Sequence, residues 1–114
     1  MGEGRIKGAR RSQLDGESFD SRREMRRWAI LCMMAKARPP LISDLRRQVK
    51  IALHGRDGPI LTPTGRQMHY VADFVYRDLT TGREVIEDAK GHKTETYLMK
   101  KAILAAQGVT VEEV

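Results

Sequence analysis

Two neighbouring segments of the chain carry acidic side chains in otherwise apolar surroundings. Asp73 lies within the apolar run 70–76, and Asp88 is followed two residues later by Lys90. Side chains alternate between the two faces of a strand, so Asp88 and Lys90 share a face while Glu87 lies on the other. Two carboxylates beside a lysine can form a structural ion pair. Alternatively, they can bind a divalent cation that activates water and stabilises charge on a phosphate.

The apolar alternation around both acids predicts that their segments pair as a β-hairpin. If residues 81–82 form its loop, Asp73 lies opposite Lys90. If residues 79–82 form it, Asp73 lies opposite Asp88 instead. Either loop brings the three side chains onto one face, because directly opposed residues of an antiparallel pair point the same way. A three-residue loop with a bulge would separate them.

The helices and strands that position these residues are predicted from helix caps, from proline as a helix breaker, and from the spacing of apolar residues. Ser21 and Glu24 match a capping box, which starts a helix that ends before Pro39. The pattern over 41–53 fits either a helix face or a strand, and we favour a strand over 47–53 with Gln48 as an ordinary strand residue. The predicted order is that helix, strands 47–53, 67–77 and 84–90, a helix from Thr94 or Glu95 to Gln107, and a strand over 109–111. An α-β-β-β-α-β order of this kind predicts an α/β (α+β) domain.

Composition bounds the class of protein. The 114 residues are 40% hydrophobic and 32% charged, as expected for one globular domain. No apolar run approaches the roughly 20 residues that cross a bilayer, so no membrane span is expected. A single cysteine, Cys32, cannot form an internal disulfide, and we expect an intracellular protein. The Gly- and Arg-rich residues 1–18 predict a flexible basic arm, followed by one domain over 19–114.

The chain is basic, with a formal net charge of +6 and a pI near 9.8. Many of its arginines come in pairs, and the planar guanidinium suits bidentate contacts with phosphate. Charge alone leaves three kinds of partner open: nucleic acid, an acidic protein and anionic lipid.

The segment with Asp73 and the later run 87–91, Glu-Asp-Ala-Lys-Gly, together resemble the catalytic hairpin of the PD-(D/E)XK nuclease superfamily. In that resemblance Asp73 takes the place of the first acid, Asp88 that of the second and Lys90 that of the lysine. Ala72 stands where the name of the motif has proline, a position that varies widely. The resemblance implies a restriction-endonuclease-like core, a central mixed sheet flanked by helices.

The resemblance extends beyond the hairpin. The runs 16–27, 70–76 and 86–94 are similar to a family of short, phage-associated proteins often labelled as junction resolvases or endonucleases. Many members of the superfamily carry a glutamate on the first helix that completes the metal shell, and Glu24 matches it here. As part of a capping box, Glu24 also has a structural role. Some related nucleases have a glutamine near the site, so the resemblance implies that place as the less favoured alternative for Gln48.

Together these resemblances imply a metal-dependent endodeoxyribonuclease located in the cytoplasm, that of the host if the chain is phage-encoded. They imply Mg²⁺ as cofactor, with Mn²⁺ as a substitute, and a homodimer if branched DNA is cut at two centres. No sequence-reading module is recognisable, so selectivity for junctions or flaps is expected. The alternatives are a non-catalytic DNA-binding protein with the nuclease fold and a basic adaptor for an acidic protein. The implied metal ligands are Asp73, Asp88, Glu24 and the Ala89 carbonyl, and the implied DNA contacts are Arg22, Arg23, Arg26, His92, Lys93, Lys100 and Lys101.

Overall fold

A computed structural model describes residues 12–14 and 17–114 of the chain. In chain order its elements are β1 (Ser12–Leu14), β2 (Glu17–Phe19), α1 (Arg22–Lys36), β3 (Ile42–Ala52), β4 (His54–Gly55), β5 (Gly58–Pro59), β6 (His69–Asp78), β7 (Arg83–Asp88), α2 (Glu95–Ala106) and β8 (Glu112–Glu113). The predicted α-β-β-β-α-β order is present as α1-β3-β6-β7-α2-β8, and β1–β2 and β4–β5 form two further short hairpins. Most of the predicted arm, 1–18, lies outside the described residues, although β1 and part of β2 belong to it.

The domain is α+β, with a mixed four-stranded sheet in the order β3-β6-β7-β8. β6 pairs antiparallel with β3 and with β7, whereas β8 pairs parallel with β7. A parallel neighbour requires a crossover, and α2 provides it. Among the described residues, no helix is long and apolar enough to cross a membrane.

The sheet is covered by one helix on each side, which gives two apolar clusters. On the α1 side, Trp28 stacks on Phe74 with ring centroids 6.0 Å apart, and Leu31 is fully buried. On the α2 side, Leu104 packs in the cluster that contains Tyr70. Burial of such side chains stabilises the fold by about 1.5–3 kcal/mol each.

Both helices begin and end where the sequence predicts. The Ser21 hydroxyl accepts a hydrogen bond from the Glu24 amide at 3.1 Å, which confirms the N-cap of α1. α2 begins after its N-cap Thr94 and is followed by Gly108, whose φ of +85° is the left-handed conformation that glycine adopts readily. The Val109 amide then bonds the Leu104 carbonyl and the Gly108 amide bonds Ala105, which together form a Schellman motif.

All four predicted strands have different bounds in the structure. The two hairpin strands are His69–Asp78 and Arg83–Asp88 rather than 67–77 and 84–90, and the other two strands differ more. The last strand is Glu112–Glu113 rather than 109–111, because residues 108–109 are used to cap α2. β3 begins at Ile42 rather than at residue 47. An extra residue between Ser43 and Arg46 forms a bulge there, which shifts the apolar alternation by one position and makes it resemble a helical pattern.

Candidate functional site

Asp73 and Asp88 lie opposite each other where β6 and β7 begin to separate. Phe74 pairs with Glu87, and the next level of the ladder carries the two aspartates. There the Asp73 amide donates to Oδ1 of Asp88 at 3.1 Å, and the Ala89 amide donates to Oδ2 of Asp73 at 2.9 Å. Each carboxylate is therefore held by a main-chain N–H group of the opposite strand, which fixes its orientation.

Lys90 completes the group of three side chains. Its Nζ lies 3.5 Å from Oδ1 of Asp73 and 3.9 Å from Oδ1 of Asp88. Asp78 pairs with Arg83, so the loop has four residues and Asp73 faces Asp88, the second of the two registers considered from the sequence. The predicted convergence of the three side chains on one face is confirmed.

Glu24 reaches the same place from the first turn of α1. Its side chain is only 5% exposed, and Oε2 accepts from Nε2 of Gln48 at 2.9 Å and from Arg47 at 3.2 Å. The same Gln48 nitrogen lies 3.3 Å from Oδ1 of Asp73, so one amide group connects the two carboxylates. The Arg47 guanidinium also lies over the Phe19 ring, 3.9 Å from its centroid, and this contact holds the arginine beside Glu24.

Burial makes the charged forms of these acids costly. Removal from water raises the pKa of Asp88 from 3.8 to about 6, against the attraction of Lys90. Burial and the nearby charge of Asp73 also raise the pKa of Glu24. Oδ2 of Asp88 is buried and has no hydrogen-bond partner among the residues that the structure describes. A buried polar atom of this kind is expected to take a water molecule or an ion.

The donor set fits a hard cation. Three carboxylates provide oxygen ligands of the kind that Mg²⁺ binds, and Asp88 retains an oxygen that no described residue satisfies. Within residues 12–14 and 17–114, no group of three or more His, Cys, Asp or Glu side chains is already arranged to hold an ion. Glu24 is instead bound to Arg47 and Gln48.

Glu87 lies on the opposite face, as the alternation of side chains predicts. Arg27 of α1 donates to both of its carboxylate oxygens, at 2.8 and 2.6 Å, and the Tyr76 hydroxyl donates to one of them. This buried bidentate pair joins β7 to α1 one turn beyond Glu24. Its role is to hold together the two elements that carry the acidic residues.

Four of the seven residues expected to contact DNA bind groups of the protein itself. Lys93 and Lys101 both bind the Glu113 carboxylate, at 3.0 and 2.8 Å. Lys100 donates to the main-chain oxygen of His69 on β6, and Arg23 donates to the main-chain oxygen of Val114, which follows β8. The remaining candidates, Arg22, Arg26 and His92, are exposed.

One protein-family model matches almost the whole chain. A family model described as "Protein of unknown function (DUF1064)" matches residues 6–113. The chain belongs to this family. No curated protein and no solved structure matches the chain. The DUF1064 match spans every element from β1 to β8, so the acidic site lies inside the region that the family model describes.

One contributor to the site, Arg47, is not evident from the sequence, and Gln48 takes the less favoured of its two predicted places, near the site. Gln48, expected to be an ordinary strand residue, contacts two of the acids, and Arg47 contacts Glu24. Both lie on β3, and their contacts with α1 depend on tertiary packing. No local spacing in the sequence indicates those contacts.

Proposed function

We propose that this chain is a metal-dependent endodeoxyribonuclease with a restriction-endonuclease-like core and an active site of Asp73, Asp88, Lys90 and Glu24. The observation that supports this most strongly is the position of Lys90, within 3.9 Å of two buried aspartates that main-chain N–H groups hold in place. A fold gains no stability from two opposed, desolvated carboxylates. Lys90 offsets part of that cost as an ion pair, and a bound divalent cation would offset it further.

Magnesium, or manganese in its place, would be held by Asp73 and Asp88, with Glu24 and the Ala89 carbonyl completing the ligand set. When bound, the ion supplies an activated water and neutralises charge on the phosphate. The chain prepares the site for it: the Asp73 and Ala89 amides orient the carboxylates, and Lys90 places a positive charge where water or phosphate must be positioned.

The proposed substrate is DNA, recognised through its backbone. The net charge of +6 favours phosphate contacts, which give affinity without reading base sequence. Selectivity would come from DNA shape, as in a junction or flap, and a homodimer would supply the two centres that a four-way junction requires. Such an enzyme acts in the cytoplasm, that of the host if it is encoded by a phage.

The rival proposal is a DNA-binding protein that keeps this fold without cutting. It is favoured by the engagement of Glu24 with Arg47 and Gln48. The two proposals make opposite predictions about covalent cleavage, so a single assay separates them.

The assay incubates the protein with linear, flap and four-way-junction DNA in Mg²⁺, Mn²⁺ or EDTA. Asp88→Ala and Lys90→Ala test the site, while Glu84→Ala on the same strand and Lys50→Ala on β3 are matched controls, since both control residues are exposed. We expect metal-dependent cutting by the wild type and both controls, and none by the two site variants. Cutting that survives both site substitutions, or tight binding with no cutting of any substrate, would refute the enzyme.

A further inference from the structure

Gln48 occupies an unusual place in β3. Its amide nitrogen lies 2.9 Å from Oε2 of Glu24 and 3.3 Å from Oδ1 of Asp73, although the residue itself is exposed. It is also one of two non-glycine residues with positive φ among those described, at +51°, the other being Asp44 at +56°. A left-handed conformation strains a residue with a Cβ, and glycine avoids that strain.

The two strained residues differ in their cause. At Asp44 the ladder gains one residue, because Ser43 pairs with Arg77 whereas Arg46 pairs with Val75, and a bulge accounts for the backbone. At Gln48 no residue is inserted, since the pairs on either side keep the same register: Arg47 with Phe74, and Val49 with Ala72.

At Gln48 the alternation of β3 is reversed: side chains at even spacing before and after this residue lie on opposite faces of the sheet. Arg47 contacts Glu24 and Trp28 of α1, yet Val49 and Ile51 pack on the α2 side, although all three are an even number of residues apart. Strand alternation alone would keep them on one face. Glycine could make this exchange without strain, so the strained backbone does not itself require a glutamine. The amide side chain is the feature that glycine would lack.

We propose that Gln48 is a positioning residue, whose amide holds the carboxylates of Glu24 and Asp73 together so that both can serve one divalent cation. This inference rests on the proposed function. The neutral amide bridges the two acids without adding to the positive charge that Arg47 and Lys90 already place beside them. Partners that orient the ligands of a metal typically change its affinity 10- to 100-fold when they are removed.

The test compares Gln48→Gly with Asp44→Gly. Glycine accepts positive φ, so each variant removes a side chain while its backbone conformation is retained, and Asp44→Gly controls for release of strain. Mn²⁺ affinity is measured by isothermal titration calorimetry, folding by the urea midpoint, and DNA cleavage under single-turnover conditions. We expect Gln48→Gly to bind Mn²⁺ at least tenfold more weakly than the wild type, and Asp44→Gly to bind it within twofold.

The outcomes separate this inference from the proposed nuclease. Weaker Mn²⁺ binding by Gln48→Gly alone, with no DNA cut by the wild type, would support the positioning role and refute the nuclease. Cleavage by the wild type, with equal Mn²⁺ affinity in both glycine variants, would refute the positioning role and leave the nuclease standing. A wild type that binds no Mn²⁺ would overturn the positioning role. Slower cutting by Gln48→Gly that saturating Mn²⁺ restores would support it further.

Discussion

Asp88→Asn should stabilise the protein, and the gain should depend on pH. Asp88 is fully buried, and its pKa is raised from 3.8 to about 6 chiefly by desolvation. Each pKa unit corresponds to 1.36 kcal/mol, so the ionised side chain costs the fold about 3 kcal/mol. Asparagine is isosteric with the protonated acid, and its carbonyl oxygen can still accept from the Asp73 amide.

The direction follows from proton linkage. Because the folded pKa is raised, folded Asp88 holds its proton at pH values where the unfolded chain has lost it. The free energy of unfolding of the wild type therefore falls as the pH rises from about 4 to about 6. Above that range the destabilising effect of Asp88 stays constant. Asp88→Asn has no such group, so its advantage over the wild type should grow by about 2 kcal/mol between pH 4 and pH 8.

Urea denaturation in EDTA at pH 4, 5, 6 and 8 measures this difference, because EDTA removes any ion that would offset the charge. Other titrating groups are shared by both proteins and cancel in the comparison. Exposed Met33→Ala is the control, and its stability difference from the wild type should not change with pH because it removes no titrating group. A stability difference for Asp88→Asn that is independent of pH, or that falls as the pH rises, would refute the reasoning.

Three further predictions concern stability and are measured by urea denaturation. Arg27→Ala leaves the Glu87 carboxylate buried without its cation and should cost about 3–5 kcal/mol, and a loss below about 1 kcal/mol would contradict the structural role of the pair. Leu31→Ala empties a fully buried position and should cost about 2–5 kcal/mol, whereas exposed Met33→Ala should cost far less. Gly108→Ala places a Cβ at φ +85° and should cost about 1 kcal/mol, and an unchanged midpoint would show that the cap of α2 tolerates it.

The β6–β7 hairpin and its acidic residues could be predicted because they depend on local features of the sequence, namely side-chain alternation and loop length. Alternation fixes which residues of one strand share a face, and any even loop length places Asp73 with Asp88 and Lys90. The caps of both helices are likewise written in short motifs, Ser21 with Glu24 at one and Gly108 at the other. These features need no knowledge of distant contacts.

The remainder depends on contacts between distant segments. The bulge after Ser43 and the left-handed Gln48 interrupt the alternation of β3, so its pattern could not be separated from that of a helix. The pairing of Arg27 with Glu87 joins residues 60 positions apart, and nothing local to either indicates it. Lys101 binds Glu113 across the α2–β8 connection, a contact that no local spacing indicates, and its contact with DNA stays a prediction.

We propose that the acids of the β6–β7 hairpin bind a divalent cation. Titration calorimetry measures this binding with Mn²⁺ on the wild type, on the double variant Asp73→Asn with Asp88→Asn, and on Glu84→Gln as the control. We expect saturable Mn²⁺ binding by the wild type and the control, and none by the double variant. Equal binding by all three proteins, or no binding by the wild type, would contradict it.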